Sequence, residues 1–115
     1  VTKIFTGNYR YNGPDRLDIT VKGQDDLGRH FAPTWDMVMG VKKGTMSEDE
    51  YVQRYVQIID RVPVSILKRL FEFADKHGSI TLVCFCQEYA FCHRNILARI
   101  LVDRVHTAVH GGYRS

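Results

Sequence analysis

All three cysteines of the chain, Cys84, Cys86 and Cys92, fall within one short stretch, and His93 and Arg94 follow the last of them directly. Thiol, imidazole and guanidinium at such spacing support several chemistries. A cysteine at the start of a helix, beside an imidazole and a cation, has its thiolate favoured and becomes a nucleophile or redox group. Cys92 and Cys86 are the reactive candidates on this reading, with His93 as proton carrier. Cys84 is expected to be a small buried core residue. Arg94 can clamp a phosphate or carboxylate bidentately, or pair with Glu88.

Two other arrangements are weaker. Cys84, Cys86, Cys92 and His93 are four potential zinc ligands, but Cys-x-Cys followed by adjacent Cys-His departs from the usual Cys-x2-4-Cys pairing. Neighbouring helix side chains also diverge by about 100°. No metal and no cofactor is therefore expected. A phosphatase-like cradle places its arginine six positions after the cysteine, and position 88 is Glu here, which excludes a simple thiol phosphatase.

The elements that must position these groups are readable around them. Ser79 to Phe85 is an apolar run that reads as a buried strand, introduced by the helix-ending pair His77-Gly78. Asn95 to Val109 has apolar residues at helical spacing. The motif thus lies on a strand-loop-helix junction, where open α/β sheets bind ligands and free helix N–H groups favour anions.

Upstream, Lys3 to Thr6 and the alternating Leu17 to Lys22 read as strands. Pro33 can open a short helix through Met37 to Val41. Ser47-Glu48-Asp49-Glu50 is a capping box, and the helix it starts runs to about Arg61. A further helix spans about Val64 to Lys76, while His110 to Ser115 is expected to be a frayed tail. Strand, strand, helices, strand, helix predicts an α/β layer fold with a small sheet covered by helices.

At 115 residues the chain suits a single domain, 1–115. Ordinary composition and a net charge of +3 permit contact with phosphates without demanding it. No apolar window is long enough for a membrane span. The first residues lack a secretory core, and an odd number of clustered cysteines does not suit a disulfide framework, so a cytoplasmic protein with reduced thiols is expected. Val1 suggests that a starting Met has been removed or lies outside this sequence.

Other residues could contribute. Tyr51 and Tyr55 share a helix face and can present hydroxyls to a pocket or pack in the core. Trp35 can line the same cavity. His106 and His110 have a metal-compatible spacing, but a cationic helix end accounts for them more simply. Tyr9-Arg10-Tyr11 with Arg16 combines rings and cations as single-strand nucleic-acid binders do, although a solvated loop is the expected reading.

Phe31-Ala32-Pro33, the segment Gly44 to Tyr51 with Tyr55, and above all Cys84 followed eight positions later by Cys92-His93-Arg94 resemble the domain of unknown function family numbered 488. The resemblance covers nearly the whole chain, and the Cys-Phe-Cys form is similar to a branch found in bacteria and their phages. Many relatives carry an acidic residue where Cys86 stands. The resemblance implies a Rossmann-like, mostly parallel α/β domain with action on nucleotides or nucleic acids, and supplies no reaction. The expectation is a pocket that binds or processes an anionic, nucleotide-like small molecule through Arg94, Glu88, Tyr51, Tyr55 and Trp35. A module that binds nucleic acid or protein without catalysis is the alternative.

Overall fold

A computed structural model describes residues 2–86 and 90–115. Four parallel strands form one sheet in the order β2-β3-β1-β4, with β1 at Thr2–Asn8, β2 at Arg16–Asp18, β3 at Ser79–Cys84 and β4 at Ala108–Arg114. The helices are α1 (Trp35–Lys43), α2 (Glu48–Asp60), α3 (Val64–His77) and α4 (His93–Arg104), and a short 3-10 turn occupies Gly28–Phe31. The expected α/β class holds, and the sheet is wholly parallel among the described residues.

Connection direction explains the layering. The chain passes from β2 to β3 through α1, α2 and α3, and from β3 to β4 through α4, moving across the sheet in the same sense each time. Right-handed crossovers in one sense put their helices on one face. Ile4, Leu17, Ile80 and Leu82 accordingly form a single core with Tyr55, Leu70, Leu97 and Leu101. The β1 to β2 connection runs in the opposite sense and has no helix. At the C-terminal ends of β1 and β3 the outgoing chains therefore part, which opens the kind of crevice where α/β sheets hold ligands.

Several element ends show why they stop. Thr34 caps α1 by accepting from the Met37 amide, so Pro33 lies just ahead of the helix rather than inside it. Ser47 Oγ accepts from the Glu50 amide as the capping box requires. The Glu50 carboxylate, however, pairs with Arg54 at 2.9 Å. Gly44 and Gly78 end α1 and α3 at φ of 76°, a conformation that glycine adopts without strain.

Three expectations are corrected. The strand expected over Leu17 to Lys22 ends at Asp18, because Asp18 Oδ1 accepts from both the amide and the hydroxyl of Thr20 at 2.9 and 2.6 Å. This local side-chain turn competes with the ladder and wins. The helix expected to reach Val109 ends at Arg104, and the supposed frayed tail is β4, paired with β1 at the sheet edge. Opposite β1, the pairing passes from His110 to Gly112, leaving Gly111 as an extra residue. A Cβ on Gly111 would come within 2.5 Å of the Phe5 ring, so this edge bulge depends on glycine.

On the face away from the helices, Asp15 is buried and accepts from Tyr11, Ser79 and Thr81 hydroxyls at 2.6, 2.5 and 2.8 Å. Arg114 approaches the same carboxylate at 3.7 Å while its guanidinium lies over Phe5. This network ties both ends of the chain to β3.

Candidate functional site

The register brings Asn8 opposite Cys84 and Asp18 opposite Val83, so three strand ends meet at one edge. Cys84 closes β3. Cys92 is the N-cap of α4, with extended backbone at φ −157° and ψ 145°. Because the cap residue lies outside the helix, its side chain does not follow the helical 100° step, and the divergence expected between Cys92 and His93 disappears.

Cys92 Sγ donates to Cys84 Sγ at 3.2 Å, and Cys84 Sγ donates to Cys86 Sγ at 3.7 Å. His93 Nδ1 stands 3.7 Å from Cys92 Sγ. Its Nε2 donates to the Ile19 carbonyl at 2.6 Å. That hydrogen bond fixes the tautomer in which Nδ1 carries the lone pair and faces the sulfurs.

These contacts set the ionisation order. Cys86, at the accepting end of the thiol chain, is held well below its ordinary value by the Cys84 and Cys92 thiols, helped by the charge of Arg94. Cys92 is pushed far up, first by its contact with Cys84 and then by Cys86 and burial. Cys84 is also raised, chiefly by Cys86. Burial lowers His93, so the imidazole is neutral at pH 7.

Above the sulfurs lies a hollow of about 580 Å³. Cys84, Cys86, Cys92 and His93 form its floor, Tyr51, Phe85, Phe91 and Trp35 supply aromatic walls, and Lys22 and Lys42 bring cations. Trp35 is 49% exposed, and Lys22 Nζ sits over its ring at 4.8 Å. Tyr51 packs edge-on against Phe91 at 5.1 Å. Burial and the nearby sulfurs push the Tyr51 hydroxyl up, which keeps it a donor.

The structure therefore brings Cys86, Cys92, His93, Tyr51 and Trp35 together around one hollow. It places Tyr55 behind that hollow, edge-on to the His93 ring and donating to the Phe31 carbonyl at 2.6 Å. Arg94 also lies outside the lining. It is fully buried, and Nη1 donates to the carbonyls of Gly7 at 3.1 Å and Cys86 at 2.8 Å. A guanidinium so placed braces the end of β1 against the cysteine loop. Glu88 lies outside the described residues.

Cys84, expected to be core packing, is buried and also touches both other sulfurs. Sequence reasoning missed Lys22, Lys42 and the Ile19 carbonyl. Lysines in a loop and a last helical turn carry no spacing signal, and a backbone carbonyl carries none at all. The Tyr9 to Arg16 loop is engaged with its own neighbours: Tyr9 stacks on Phe85 at 3.9 Å, and Arg16 lies over the Tyr9 ring.

A family model described as the active DUF488-N3 subclade matches residues 3–105. No curated protein matches the chain, and no solved structure does. Among the described residues, no helix is long and apolar enough to cross a membrane.

Proposed function

The chain belongs to the DUF488 family, and on that premise we propose that the hollow above Cys84, Cys86 and Cys92 binds a nucleotide-like anionic small molecule and is where the protein acts on it. One observation carries this reading: flat aromatic walls, two lysines and a floor of thiols and imidazole coincide in a single hollow at the strand ends. A largely apolar cavity with a few convergent polar groups is the usual form of a small-molecule site. Trp35 offers a ring face to a planar base, Phe85, stacked on Tyr9, adds aromatic wall beside it, and Lys22 and Lys42 offer charge to a phosphate. Cys86, half-buried on the floor, is the thiol a bound ligand meets first. Arg94 and Tyr55 hold the floor in place from behind. The family description, which calls the subclade active, agrees with a site that does chemistry.

Trp35 is the chain's single tryptophan, so its fluorescence reports directly on the wall. Titration with the common nucleoside monophosphates is expected to give a saturable change for at least one of them. Lys22→Ala and Lys42→Ala are each expected to weaken that binding by about two- to fivefold, the usual range for an exposed charge contact. The absence of any saturable change at millimolar ligand, or affinity unaltered in a protein carrying both Lys22→Ala and Lys42→Ala, would overturn the reading.

A further inference from the structure

The floor of the hollow has the ligand set of a metal site. We propose that Cys84, Cys92 and His93 hold a zinc-class cation, with the fourth coordination position open toward the hollow.

The three ligand atoms lie within 4.8 Å of one another, and all three residues are buried. Metal–ligand bonds of about 2.0–2.3 Å give tetrahedral edges of about 3.5–3.8 Å. The Cys92 Sγ to His93 Nδ1 distance, 3.7 Å, already fits. The Cys84 to Cys92 edge, 3.2 Å, must open by about 0.5 Å, and the Cys84 to His93 edge, within 4.8 Å, must close by up to about 1.3 Å, both within reach of side-chain rotation. Two thiolates and an imidazole select zinc over hard cations such as magnesium or calcium.

An independent observation supports the same assignment. A metal-bound histidine commonly donates its other ring N–H to a carbonyl or carboxylate, which fixes the ring and presents the ligating nitrogen. His93 Nε2 donates to the Ile19 carbonyl at 2.6 Å, and Nδ1 points to the sulfurs. Binding exchanges two S–H bonds for two metal–sulfur bonds, and both protons leave to solvent. Cys86, 3.7 Å from Cys84, lies outside the three-ligand cluster. Three protein ligands and one open position form the arrangement of catalytic rather than structural zinc. The inference rests on ligand geometry and does not require the nucleotide reading.

Reduced, chelator-stripped protein titrated with Co²⁺ tests it. One equivalent is expected to bind, with a thiolate-to-cobalt charge-transfer band and the strong visible bands of four-coordinate cobalt, and Zn²⁺ is expected to displace it. Even outer-sphere partners are worth about 10–100-fold in affinity, so Cys92→Ser is expected to lose at least that much. Cys86→Ser is expected to stay within a few-fold of wild type. Because Cys92→Ser alters a buried position, nitrogen NMR of the wild-type His93 ring supplies a reading without mutation: Zn²⁺ shifts Nδ1 while Nε2 remains protonated. No bands from reduced wild type, bands unchanged in Cys92→Ser, bands lost in folded Cys86→Ser, or an unmoved Nδ1 would each overturn the assignment. Nucleotide binding to stripped protein is scored separately, so failure of one proposal is distinguishable from failure of the other.

Discussion

Replacing Arg94 by alanine separates a bracing role from a ligand-clamping one. The guanidinium is fully buried and donates to the Gly7 and Cys86 carbonyls. Hydrogen bonds from a charged donor contribute about 1.5–3 kcal/mol each, so losing two costs about 3–6 kcal/mol. Unfolding entropy of about 2.1 cal/mol/K per residue means that each kcal/mol moves the Tm of a chain this size by about 4 °C, and the expected fall is therefore about 12–25 °C. Circular dichroism during heating and urea unfolding measure the loss. Trp35 fluorescence with a nucleoside monophosphate, at a temperature where both proteins are folded, measures binding. A Tm within about 3 °C of wild type together with abolished binding would refute the reasoning and make Arg94 a ligand contact.

Other consequences follow from buried polar groups and one tight contact. Tyr55→Phe strands the Phe31 carbonyl that the hydroxyl serves at 2.6 Å, so urea unfolding should show a loss of about 1–3 kcal/mol. Burial opposes the charge on Asp15, but its Ser79, Tyr11 and Thr81 donors, with Arg114, hold the carboxyl below its ordinary value of 3.8. The unfolded chain then takes up that proton first as pH falls, so the stabilisation is complete above about pH 4 and is lost in stronger acid, as the pH falls through the lower folded value. Asp15→Asn should flatten this acid limb of a Tm-versus-pH curve and lower the Tm at pH 7. Gly111→Ala places a methyl against the Phe5 ring, an overpacking of about 1–3 kcal/mol. Faster amide exchange along Ala108–Arg114 would show the edge strand loosening.

Much of the scaffold was legible because its signals are local. The Ser47 cap, the glycines after α1 and α3, and the apolar run of β3 each specify an element from a few adjacent residues. β4 was not legible. Val105, Ala108 and Val109 match helical spacing, and what makes the segment a strand is the open edge of β1, about a hundred residues away in the chain. Asp18 shortened β2 by a side-chain turn that alternation does not reveal. At the site, the clustering of Cys84, Cys86, Cys92 and His93 correctly marked the junction. The direction of Arg94 did not follow from spacing, since a guanidinium at a helix start can turn to solvent, ligand or strand carbonyl. Only the fold sets Gly7 beside it. The convergence of His93 with the sulfurs depended on Cys92 being the cap, with its extended backbone, rather than a helical residue.

The central claim is that the hollow over the cysteines is where the ligand binds. Amide and side-chain NMR of the isotopically labelled protein, recorded during titration with a nucleoside monophosphate, tests it most directly. The account predicts saturable shifts at the Trp35 indole, Lys22, Cys86 and His93 that exceed any in the Tyr9 to Arg16 loop, whose Tyr9 stacks on Phe85. Shifts concentrated on that loop, with the Trp35 indole unmoved, would contradict it.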